Sequence, residues 1–100
     1  MEYQKNLSSE NLSRFEYDIL KYLSDNTRHM YIVRDGNGNI YLYDAEPKKN
    51  KVNDWWSGRG VHGMTAFNKL FQFVRWEDEK PTSIKEVLEN CAVENIKEEQ

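Results

Sequence analysis

A single cysteine, Cys91, among 100 residues leaves the chain no internal disulfide. A bridge-stapled fold is therefore excluded, and a reducing compartment is expected. No apolar run approaches the roughly 18 residues of a membrane span. The polar start, with Glu2, Gln4, Lys5 and Asn6, carries no signal-peptide stretch. Two prolines and five glycines are scattered without internal repeats or low-complexity tracts. Aliphatic residues are scarce as well: Leu, Ile, Val and Phe together number 22, just above the level of about 20% below which a charged chain is expected to be disordered. What is present in strength is aromatic, with three Trp, six Tyr and four Phe. Each buries roughly 150–250 Å² on reaching a core, which tips the expectation towards folding. At 12.0 kDa that core serves one domain, soluble and cytoplasmic, too small for most multi-step enzymes.

Ser13-Arg14-Phe15-Glu16 is a capping box, with Leu12 and Tyr17 placed as a hydrophobic staple. Leu12, Phe15, Ile19, Leu20 and Leu23 follow at helical spacing, predicting a helix from about 14 to 25. Two β-branched and aromatic runs, 29–34 and 39–44, flank Asp35-Gly36-Asn37-Gly38 and predict a hairpin. Alternation assigns Met30, Ile32, Ile40 and Leu42 to a face that meets a helix. Tyr31, Val33, Tyr41 and Tyr43 fall on the other, where cross-strand packing under a second layer, a ligand surface or a dimer contact are the alternatives. Residues 45–64 show no pattern, so they are either a functional loop, pinned by Trp55 or Trp56, or conceal a short element. Thr65–Lys69 fits a turn of helix or the start of a strand. Leu70–Trp76 reads as a third strand, antiparallel to the hairpin. A second capping box, Ser83 to Glu86, opens a helix with Ile84, Val87, Leu88 and Cys91 on one face. The expected architecture is α+β: a three- or four-stranded antiparallel sheet with an N-terminal and a C-terminal helix packed on it. One domain spans 12–92, between a mobile tail at 1–11 and a frayed acidic tail at 93–100.

Candidate chemistry is thin. Gly58-Arg59-Gly60-Val61-His62-Gly63 has the letters of a dinucleotide fingerprint, but no buried strand precedes it and no helix follows. His29, His62 and Cys91 stand far apart in sequence without metal-ligand spacing. Cys91 lies on an apolar helix face and reads as core filler rather than nucleophile. No cofactor, metal or catalytic set is expected, and the chain reads as non-enzymatic.

The charge layout says more than the net −3. Residues 1–46 carry −3, residues 47–76 carry +5 and residues 77–100 carry −5. Lys48, Lys49, Lys51, Arg59, Lys69 and Arg75, interleaved with Trp55, Trp56 and His62, are types that neutralise phosphates and stack on bases. The acidic whole opposes a nucleic-acid reading, and the basic aromatic segment equally suits a protein contact or a solvated loop. In the opposite sense, Glu77, Asp78, Glu79, Glu86 and Glu89 could face a basic partner and imitate a row of phosphates.

The runs 12–20, 31–36 and 40–43, and above all Phe71-Gln72-Phe73-Val74-Arg75-Trp76-Glu77-Asp78-Glu79-Lys80-Pro81-Thr82, resemble a family of small proteins encoded by phages and prophages of Gram-positive bacteria. The likeness spans about 12–88 and brings no catalytic residues. It implies an accessory protein acting in the cytoplasm of an infected or lysogenic host. By analogy of size, acidity and origin, it further implies an anti-CRISPR-like inhibitor of host defence, blocking the nucleic-acid-binding surface of a Cas nuclease. The alternatives are a nucleic-acid-binding accessory protein using loop 48–69, and an assembly module that dimerises through its tyrosines.

Overall fold

The Ser13 hydroxyl accepts the Glu16 amide at 3.0 Å while the Glu16 carboxylate accepts the Ser13 amide at 3.0 Å, closing the expected capping box. The computed structural model describes residues 11–90 and 92–93. Along the chain run β1 (Asn11–Leu12), α1 (Arg14–Asn26), β2 (Tyr31–Arg34), β3 (Ile40–Tyr43), β4 (Lys48–Asn50) and β5 (Trp55–Ser57). Then follow β6 (His62–Gly63), a 3-10 turn (Thr65–Phe67), β7 (Thr82–Ser83), α2 (Ile84–Asn90) and β8 (Ala92–Val93). The fold is α+β, as expected. Among the described residues no helix is long and apolar enough to cross a membrane. Most of both expected tails, 1–10 and 94–100, and Cys91 lie outside the described residues; the ends that are described, β1 and β8, pair in parallel.

The central antiparallel sheet has the order β6-β3-β2-β7. Its hairpin pairs Tyr31 with Tyr43 and Arg34 with Ile40, and its turn places Gly38 at φ +95°, a conformation glycine adopts at little cost. Ile32, Ile40 and Leu42 enter the main core with Leu20 of α1 and Ile84 and Val87 of α2. Met30 does not join them: one residue before β2, it is 54% exposed. Phe15 is also largely exposed, its ring edge-on to Phe67 at 6.5 Å.

The tyrosine face is covered from within. The 45–64 stretch, far from patternless, folds β4 against β5, and Trp56 packs with Val33 and Tyr43 beneath Tyr31, Tyr41 and Trp76. Of the alternatives for this face, this is cross-strand packing under a second layer. Trp56, not Trp55, is the pin; it is 4% exposed, and its ring meets Trp76 edge-on at 6.4 Å.

Leu70–Trp76 is not a strand. Phe71, Phe73 and Val74 are all buried, and Phe71 sits at φ 57°, a left-handed conformation that is costly for a bulky residue. Side chains rather than a neighbouring strand satisfy this backbone. The Arg34 guanidinium donates to the carbonyls of Asn68, Leu70, Phe71 and Val74, and also to that of Gly38. Glu16, besides closing the cap of α1, accepts the Phe71 amide at 2.6 Å. Apolar residues without a partner strand thus bury as a buttressed loop between α1 and the hairpin.

Candidate functional site

The basic aromatic segment divides by strand alternation. In the β4–β5 ribbon Lys49 stands opposite Trp56 and Lys48 opposite Ser57. Lys49 and Trp56 turn inward: the Lys49 ammonium lies 4.3 Å from the Trp76 ring centroid and donates to the carbonyls of Trp76 and Asp78. Lys48, Lys51, Trp55, Arg59 and His62 are exposed. Lys49 and Trp56 are thereby corrected from contact residues to structural ones. At the ribbon's tip the Asn50 side chain accepts the amides of Val52 and Asn53, and the Asp54 carbonyl accepts the Gly36 amide from the neighbouring turn. Val52 is left 91% exposed and Trp55 47% exposed on a ribbon tied down at both its tip and its inner face.

Among the acidic candidates, Glu77, Glu79, Glu86 and Glu89 are exposed. Asp78 is turned inwards, its carboxylate accepting the Arg75 amide and its side chain 13% exposed. It fastens the turn before β7, so it too is corrected from a contact residue to a structural one. The Ser83 hydroxyl accepts the Glu86 amide at 3.3 Å, starting α2 where the second capping motif predicts.

The third constellation went unread in the sequence. His29 and His62, 33 positions apart, stack at 5.5 Å between ring centroids, and His29 Nδ1 lies 2.8 Å from a carboxylate oxygen of Asp44. The geometry follows from pairing. With Tyr31 opposite Tyr43 and His62 opposite Leu42, residues 29 and 44 meet at the end of the hairpin and β6 brings the second imidazole alongside. Extending the predicted hairpin register past its ends would have found the first pair. The second needed β6, which is too short to show a pattern. Among the described residues no group of three or more His, Cys, Asp or Glu can hold a metal. Gly60, at φ +73°, comes so close to Asp44 that a Cβ there would meet its carboxylate at 2.3 Å. Gly58 and Gly60 thus serve close backbone approach rather than phosphate cradling. Beside the pair opens a cleft of about 640 Å³ whose lining includes Arg28, Met30, Arg59 and Lys85.

Two buried ionisable groups support the second layer. Asp35 accepts the Trp56 amide at 2.9 Å; burial pushes its carboxyl above the ordinary 3.8, with that hydrogen bond pulling the other way. Tyr43 donates to the Trp56 carbonyl at 2.9 Å. Burial first, then the charges of Asp35 and Tyr41, hold its phenol above the ordinary 10.0. A phenol that binds its proton more tightly in the folded state contributes stability that is complete below pH 10 and lost as pH rises through the higher folded value. Urea titrations between pH 8 and 11 should therefore show wild type losing stability more steeply above pH 10 than Tyr43→Phe; parallel curves would refute the assignment.

No family model matches the chain, nor does any curated protein or solved structure.

Proposed function

We propose that the chain acts by binding a protein, without catalysis, and that the contact is the outer face of the β4–β5 ribbon. The supporting observation is Trp55: a half-exposed tryptophan beside the fully presented Val52, on a backbone already held by Trp56, Asn50 and Asp54. Binding hot spots are enriched in Trp, and a ribbon ordered before binding loses little conformational entropy on contact. Lys48 and Lys51 form a charged rim around it. They are few for nucleic acid, where affinity grows with the number of phosphates neutralised, and Lys49 is withdrawn into the second layer.

The resemblance to phage and prophage proteins supports a partner of the infected host, in its cytoplasm, with a CRISPR nuclease as the specific class. A second contact surface is favoured by Glu77, Glu79, Glu86 and Glu89. They are exposed, and among the described residues no ion pair neutralises their carboxylates, so they could oppose a basic, nucleic-acid-binding surface.

The test is capture from a Gram-positive host lysate and from purified Cas nuclease, with wild type, Val52→Ser/Trp55→Ala, and Glu77→Lys/Glu79→Lys. The ribbon variant should lose at least tenfold in affinity, about 1.4 kcal/mol or more, while unfolding at the same urea concentration. Loss in the charge-reversed variant alone would move the contact to the acidic residues. A labelled single strand bound with a steep salt dependence, with no protein captured, would replace the protein partner by nucleic acid.

A further inference from the structure

The cleft beside His29 has a chemical character of its own. Arg28, Arg59 and Lys85 line it, all three exposed, and among the described residues none has a side-chain hydrogen bond or ion pair. The lining holds one carboxylate, Asp44, hydrogen-bonded to His29 at 2.8 Å, so three cations face a shared space against a single negative charge. The chain holds Arg59 there deliberately in one sense: its carbonyl accepts the Asp44 amide at 3.1 Å, and the positive φ of Gly60 presses the loop against Asp44. Opposite in character, Met30, Ala45 and Ile84 supply an apolar wall. This gives the exposure of Met30, which the hairpin alternation does not explain, a use.

Cations of this kind select doubly charged oxyanions. Arginine forks match phosphate oxygens in pairs, and lysine adds a mobile point charge. A volume of about 640 Å³ lies within the roughly 300–1,000 Å³ of small-molecule sites, where a largely apolar lining with a few polar groups is usual. We propose that this cleft binds a phosphomonoester of nucleotide size, its phosphate on Arg28, Arg59 and Lys85 and its flat or apolar body against Met30. The ligand is either a free mononucleotide or the phosphorylated end of a strand. This site is separate from the β4–β5 ribbon and does not depend on the protein-binding reading.

The test titrates the full chain with adenosine 5′-monophosphate, adenosine and inorganic phosphate, and with a short DNA strand with and without a 5′-phosphate, followed by calorimetry and amide chemical shifts. The monophosphate should bind at least tenfold more tightly than adenosine, with shifts at residues 28–30, 59–60 and 84–85. Arg28→Ala/Arg59→Ala should weaken it at least tenfold at an unchanged unfolding midpoint, while Lys48→Ala/Lys51→Ala leaves it unaltered. Tighter binding of the phosphorylated strand than of the mononucleotide assigns the site to strand ends, and the reverse to free nucleotides. Equal affinity for adenosine and its monophosphate, no binding of any probe, or indifference of a folded Arg28→Ala/Arg59→Ala variant would overturn the proposal.

Discussion

Replacing Arg34 with alanine is expected to lower the free energy of unfolding by about 3 kcal/mol or more, the sum of several unsatisfied acceptors and much of the 5–15 kcal/mol typical of a domain. Arg34 is half-buried, and its guanidinium donates to five main-chain carbonyls between 2.8 and 3.1 Å. Four of these belong to 68–74, a segment that pairs with no strand. Without the guanidinium the carbonyls of Asn68, Leu70 and Val74 lose that donor, while Phe71 keeps the Val74 amide; a buried acceptor left unsatisfied costs about 1–3 kcal/mol. Burial does lower the pKa of Arg34 from its ordinary value, yet an arginine remains charged throughout the working range. Arg34→Lys should recover less than half of the loss, because an ammonium has three donors at one point and cannot reproduce a planar fork. Urea unfolding of both variants checks this; a lysine variant as stable as wild type would mean that charge, and not fork geometry, holds the loop.

Trp56→Ala should cost a similar amount, about 3–5 kcal/mol, the usual range for emptying a large aromatic from a core. Its expected signature is regional. The ring contacts Val33, Tyr43 and Trp76, so the tyrosine face of the sheet should become solvated while the helix-side core keeps its amide protection against hydrogen exchange. Trp56→Phe should cost clearly less. The Trp56 indole nitrogen is buried without a hydrogen-bond partner among the described residues, so phenylalanine forfeits volume but no bond. If the two variants prove equally destabilised, shape rather than burial controls the layer. Because the ribbon is fastened through Trp56, Trp56→Ala should also weaken any partner bound at Trp55.

The elements legible in the sequence are those whose cause is local. Ser13 and Glu16 lie three residues apart and cap α1 whatever else the chain does; Gly38 turns the hairpin, and alternation within 31–43 assigns its two faces. The misreadings share a different cause. Phe71, Phe73 and Val74 have the composition of a strand, but β7 and β6 flank the hairpin, and the backbone of this segment is held by Arg34 and Glu16 instead. Lys49 looks like a surface cation until alternation in a three-residue strand turns it onto two tryptophans.

Composition and local pattern decide that this acidic, aliphatic-poor chain folds as α+β around its aromatics, because capping, turn chemistry and period-two alternation act over a few residues. Which charges remain available to a partner is a matter of long-range contact. Arg34 reaches across 34 to 40 positions to the carbonyls of Asn68 and Val74, Glu16 across 55 to the Phe71 amide, and His29 and Asp44 meet across 15. The tertiary fold therefore withdraws Lys49, Trp56 and Asp78 into the structure. It leaves Trp55 on a braced ribbon, and it gathers Arg28, Arg59 and Lys85 from three separate segments around one cleft.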